Sequence, residues 1–151
     1  MQLKSELETL ELAGILAKLA QPGVSFGLSG PLGVGKTTLV RHLVKALGIP
    51  DQVSSPTYVL EHHYGENPSI KVLHWDLFRT AELPLDLCEP VEGNAIRVIE
   101  WTERFPEFAA TLDLSINLSF SPSSPDSREV TLAGKLAAKV QQTLAHRALG
   151  K

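Results

Sequence analysis

Eight consecutive residues, Gly30-Pro31-Leu32-Gly33-Val34-Gly35-Lys36-Thr37, satisfy every fixed position of the pattern G-x-x-x-x-G-K-[ST]. Glycines at 30, 33 and 35 let backbone N–H groups turn inward as a nest for phosphate oxygens, and a helix starting near Lys36 would add its unpaired N-terminal donors. Lys36 is placed to reach the β- and γ-phosphates. Thr37 can supply a hydroxyl to Mg²⁺, an ion that keeps several waters and takes few protein ligands. The expected nucleotide-binding set is therefore Gly30, Gly33, Val34, Gly35, Lys36, Thr37 and Thr38, although Thr38 taken alone reads as a residue facing the fold. Three more positions would complete the chemistry. Thr57, within Ser54-Ser55-Pro56-Thr57-Tyr58, would be a switch hydroxyl that joins the Mg²⁺ shell when a γ-phosphate is present, against the alternative of an ordinary turn threonine. Asp76 ends the apolar run 70–75 and would hold Mg²⁺ from the second side. Glu100 ends the apolar run 95–99, next to Trp101, and would orient or deprotonate an attacking water or serve as a further Mg²⁺ group. The alternative for Glu100 is an ion pair with Arg97 or Arg104. His74 reads equally as a packed strand histidine and as a polar site residue.

The elements that must position these residues follow an α/β pattern. Ser5-Glu6-Leu7-Glu8 has the form of a capping box, opening a helix with apolar positions at Leu7, Leu10, Ile15, Leu16 and Leu19 that runs to Pro22-Gly23. Residues 24–28 are the first buried strand, and the helix after the loop stops at Gly48. Residues 58–64 and 70–75 read as a hairpin across the turn at 65–68, and 83–93 as loop with at most a short helical turn. Residues 95–99 are another buried parallel strand. The alternation of Leu112, Leu114, Ile116, Leu118 and Phe120 indicates a half-exposed antiparallel strand over 113–120, to which 129–133 pairs back before a closing helix over 135–149. The fold class expected is α/β, a three-layer fold of phosphate-loop NTPase type with a mixed, mainly parallel central sheet and helices on both faces, in one domain spanning 1–151.

Composition narrows the class of function. Of 151 residues, 43% are hydrophobic and 21% charged, with no apolar run near the ~20 residues of a membrane span. No signal peptide is evident, so a cytoplasmic location is expected. The single cysteine, Cys88, excludes an internal disulfide and has no zinc-ligand neighbours; it reads as a small buried hydrophobe or a bystander. A net charge of −3 argues against a broad grip on nucleic acid. The distribution is uneven: residues 1–127 hold nine Lys/Arg against sixteen Asp/Glu, whereas 128–151 hold five against Glu129 alone. That basic tail could touch RNA or an acidic partner, or simply place cations at the end of a last helix.

Taken together and in order, the phosphate loop, Ser55-Pro56-Thr57-Tyr58, His74-Trp75-Asp76-Leu77-Phe78-Arg79 and Ile99-Glu100-Trp101 resemble the bacterial TsaE (YjeE) family over roughly residues 5–120. The resemblance implies a Mg²⁺-dependent ATPase that works with the transferase subunits TsaD and TsaB in making threonylcarbamoyladenosine (t6A) at adenosine 37 of tRNA, with tRNA reached indirectly through the complex. It implies catalytic roles for Lys36, Asp76 and Glu100, metal ligation by Thr37, Asp76 and Glu100, a switch role for Thr57, and for Trp101 both nucleotide contact and a part with Glu100 as the pair needed for hydrolysis. Low activity without partners is implied as well. A small-molecule kinase is the runner-up, weakened by the absence of an arginine-rich lid, and a non-hydrolysing nucleotide-dependent scaffold is the third reading. The N-K-x-D and D-x-x-G motifs of a GTPase are absent.

Overall fold

In the computed structural model the described residues are 1–55, 59–66 and 69–150. In chain order the elements are β1 (Gln2–Leu3), α1 (Glu6–Leu19), β2 (Ser25–Ser29), α2 (Lys36–Ala46), β3 (Glu61–Tyr64), β4 (Lys71–Asp76), β5 (Ala95–Glu100), α3 (Pro106–Ala109), β6 (Leu114–Phe120), β7 (Arg128–Ala133) and α4 (Ala137–Leu149), with 3-10 turns at Leu85–Cys88 and Thr102–Arg104. They build one seven-stranded sheet in the order β1-β7-β6-β2-β5-β4-β3. Its centre, β6-β2-β5-β4, is parallel, and β3, β7 and β1 join antiparallel at the margins. The mixed, mainly parallel α/β sheet expected from the alternation of strand and helix signals is thus the observed one.

Period-two alternation in the strands divides the apolar residues between two faces. Phe26 and Leu28 of β2, Ile96 and Val98 of β5, and Leu114 and Ile116 of β6 pack with Leu12, Ile15 and Leu16 of α1, Leu39 and Leu43 of α2, and Val140 of α4. On the opposite face Trp75 and Ile99 meet Leu77, Leu87 and Leu112, backed by Phe105 and Phe108. Short helical turns cover that side, where the fold brings in no long helix.

Several elements differ from the sequence reading for identifiable reasons. The strand over 114–120 was expected to be antiparallel; it pairs antiparallel with β7 on one side but parallel with β2 on the other, Phe26 opposite Leu114 and Leu28 opposite Ile116. Alternation reports which faces are wet, not the direction of the neighbour. Phe120, placed on the buried side by that alternation, is 51% exposed at the strand's end. In α1, Leu7 and Leu10 are exposed, because at about 100° per residue they lie opposite the stripe formed by Leu12, Ile15, Leu16 and Leu19. The Ser5 cap holds, its side chain accepting from the Glu8 amide, while Glu8 reaches back to the Lys4 N–H at 2.7 Å. Cys88 is exposed rather than buried. The closing helix starts at Ala137, two residues later than expected, because Gly134 turns the chain at a φ of 101° and the Leu136 N–H is bonded to the Asp113 carbonyl at 3.1 Å. Among the described residues no helix is long and apolar enough to cross a membrane.

Candidate functional site

The carboxyl ends of the parallel strands β2, β4 and β5 come together at one edge of the sheet, where open α/β folds place ligands. β2 runs directly into the glycine loop. α2 begins at Lys36 behind Gly35, whose φ of 116° lies in the region that side chains other than hydrogen avoid. Gly30 is fixed by proximity: a Cβ there would stand 2.2 Å from the carbonyl oxygen of Leu118. The register pairs Asp76 of β4 with Glu100 of β5, so the two terminal carboxylates lie side by side on the face that α2 covers. Both, with Gly33, Gly35, Lys36, Thr37, Thr38 and Trp101, line a cavity of about 640 Å³, a size usual for small-ligand sites.

Within this cavity the polar side chains form a connected set. The Lys36 ammonium donates to the carbonyls of Gly30 at 2.5 Å and Pro31 at 3.0 Å and sits 3.8 Å from the centre of the Trp101 ring. Burial lowers its pKa, opposed by the charges of Glu100, Glu103 and Asp76. Thr37 donates its hydroxyl to Glu100 at 2.9 Å. The same Glu100 oxygen lies 2.7 Å from Nε2 of His74, and both side chains are buried. Because a carboxylate only accepts, the shared proton belongs on Nε2. His74 Nδ1 is 3.0 Å from the Tyr64 hydroxyl, which also reaches the Ser54 carbonyl at 3.1 Å. Asp76 accepts from the Phe78 amide at 2.8 Å and from the Ser55 hydroxyl at 3.3 Å. Burial raises its pKa, and the nearby Glu100 charge adds to the rise while the Phe78 bond opposes it.

Lys36, Thr37, Asp76, Glu100 and Trp101 are therefore brought together, as their strand-end and loop positions implied. Thr57 lies outside the described residues. Val34 does not face the cavity; it is 1% exposed and belongs to the core. The alternative ion pairs for Glu100 are not formed. Arg97 donates to the carbonyls of Glu89 and Asp86, fastening the 3-10 turn at 85–88, and Arg104 donates to the carbonyls of Leu77, Phe78 and Thr80. Arg104 thereby shapes the cavity wall, whose Phe78 ring lies 4.7 Å from that of Trp101. Trp101 is the one non-glycine at positive φ among the described residues, at 66°; this strained turn swings the indole over Lys36 directly after the Glu100 carboxylate. Sequence reasoning missed Tyr64 and Glu103, whose carboxylate accepts from the Gly30 N–H at 3.1 Å. Glu103 and Arg104 are close enough to Glu100 in the chain to have been suspected, whereas Tyr64 had only its place on a strand.

Oxygen donors on Thr37, Asp76 and Glu100 suit a hard cation. Among the described residues no three of His, Cys, Asp or Glu gather as a metal-ligand cluster.

The family model described as threonylcarbamoyl adenosine biosynthesis protein TsaE matches residues 3–130. Relatives named tRNA threonylcarbamoyladenosine biosynthesis protein TsaE include that of Aquifex aeolicus, 38% identical over 76% of this chain and 84% of the relative, and that of Treponema pallidum, 30% identical over 86% and 96%. The crystal structure of Bacillus subtilis YdiB superposes with a TM-score of 0.72 at 24% identity, covering 98% of this chain and 94% of that one, and so shares the fold.

Proposed function

This chain belongs to the family of threonylcarbamoyl adenosine biosynthesis proteins TsaE, and from that membership we propose that it is the ATP-binding and ATP-hydrolysing component of t6A synthesis, acting in the cytoplasm to reset or regulate the TsaD–TsaB transferase. A part in making t6A on tRNA comes with the family; hydrolysis and regulation are what the site adds to that part in this proposal. The observation that supports it is the convergence of Lys36, Thr37, Asp76 and Glu100 on one cavity, with the buried Glu100 carboxylate 2.9 Å from the Thr37 hydroxyl.

Lys36 exchanges the carbonyls of Gly30 and Pro31 for phosphate oxygens, replacing neutral acceptors with charged ones in direct contact with its buried ammonium. Thr37, Asp76 and Glu100 would hold Mg²⁺, which supplies charge neutralisation at the phosphate oxygens. His74 keeps the Glu100 carboxylate oriented through its Nε2–H, so that Glu100 can take up the proton of an attacking water. Trp101 and Phe78 offer an aromatic wall for the nucleotide.

Phosphate release from ATP, measured for the chain alone and with purified TsaD and TsaB, tests this function. A low rate alone and a clear rise with the partners is expected. A rate indifferent to the partners favours the kinase or scaffold reading instead.

A further inference from the structure

The phosphate loop is gripped from the far end of the chain. Arg128, the first residue of β7, donates from Nε to the carbonyl of Val34 at 2.7 Å and from Nη1 to the carbonyls of Pro125 and Ser127 at 2.7 and 2.9 Å. Its guanidinium lies 4.9 Å from the centre of the Phe120 ring, which belongs to the cross-strand neighbour of Arg128 on β6. Hairpin carbonyls and ring thus hold the guanidinium in place before any ligand arrives. The peptide it grips joins Val34 to Gly35, and glycine imposes little resistance to a flip of that unit. In a planar trans peptide the carbonyl and the following N–H point in opposite directions. With the Val34 carbonyl turned toward Arg128, the Gly35 N–H is turned the other way, and Gly35 lines the cavity.

We infer that Arg128 is a positioning residue for the phosphate loop: it sets the 34–35 peptide so that the Gly35 N–H stands ready for a phosphate oxygen, and its fixed positive charge polarises that amide. This rests on the nucleotide-binding reading of the cavity. The two residues in contact are 94 positions apart, and Arg128 is in none of the motifs that point to the site.

The test is titration of the full chain with ADP by calorimetry, together with the ¹H–¹⁵N resonance of Gly35, in wild type, Arg128→Met and Arg128→Lys. Met keeps the aliphatic stem over Phe120 and removes every donor; Lys restores one. Expected are an ADP Kd about tenfold weaker for Arg128→Met, a Gly35 amide that no longer shifts downfield on ADP addition, and values for Arg128→Lys between the two. A wild-type Kd and Gly35 shift in Arg128→Met overturns the inference, even where its thermal midpoint falls, since that pattern is a purely structural bond. Should Arg128→Met not fold, Arg128→Lys decides alone: a weaker Kd with an altered Gly35 response supports the role, and wild-type values refute it. A wild-type chain that binds no ADP overturns the nucleotide reading itself, an outcome separate from any difference among the variants.

Discussion

At the scale of residues, the site holds charges that burial disfavours. The Asp76 carboxyl has its pKa raised in the fold, above the ordinary value near 4. Below that value Asp76 is protonated both folded and unfolded and imposes no penalty. As the pH rises the unfolded chain ionises first, so stability from this group falls and stays low at neutral pH. Asp76→Asn keeps an acceptor for the Phe78 amide and removes the charge. It should raise the thermal midpoint of the ligand-free chain at pH 7, with the gain vanishing below about pH 4; an equal gain at both pH values would contradict the burial argument. Such a trade of stability for a charged site is common in binding proteins. The polar site residues were legible because each ends a local pattern: Lys36 and Thr37 a glycine loop, Asp76 and Glu100 an apolar run. Tyr64 acts through contacts made by strand pairing and packing, and no spacing in the chain encodes those; for His74 and Arg104 the spacing named the residues but not the partners they meet. The ambiguity over His74 has a physical basis too, since it is at once a buried strand residue and the hydrogen-bond partner of Glu100.

At the scale of elements, the phosphate loop is bounded on three sides: Leu118 of β6 stands behind Gly30, Glu103 accepts from the Gly30 N–H, and Arg128 of β7 holds the Val34 carbonyl. Gly30→Ala sets a Cβ 2.2 Å from the Leu118 carbonyl oxygen at a φ of 136°, so either the loop or β6 must move. We expect it to cost about 3 kcal/mol or more in urea unfolding, whereas Gly33→Ala, where a Cβ meets nothing within 4 Å but φ is 76°, should cost about 1–2 kcal/mol. Equal losses would mean that backbone strain alone, without the wall formed by β6, makes Gly30 necessary. The helices and parallel strands flanking the loop could be read from periodicity and caps. Strand β1, two residues long, could not, because its pairing with β7 closes across nearly the whole chain and leaves no local trace. The parallel pairing of β6 with β2 was hidden for the same reason.

At the scale of the whole molecule, the sheet gathers β2, β4 and β5 at its centre and leaves the antiparallel strands to the edges, so the most buried part of the fold carries the chemical groups. The charge imbalance that drew attention to the tail is partly used internally, Lys135 pairing with Asp113 and Arg128 binding loop carbonyls. A net charge of −3 gives the molecule little overall attraction for a nucleic-acid backbone. In the proposed function Glu100, reached by Thr37 and His74, turns a nucleotide-binding cavity into a hydrolytic one. This role is tested most directly by measuring phosphate release and ATP affinity side by side for the wild-type chain and Glu100→Ala in the presence of TsaD and TsaB. Release should fall by about a hundredfold or more while ATP still binds; release at the wild-type rate in Glu100→Ala would refute the hydrolytic role of Glu100.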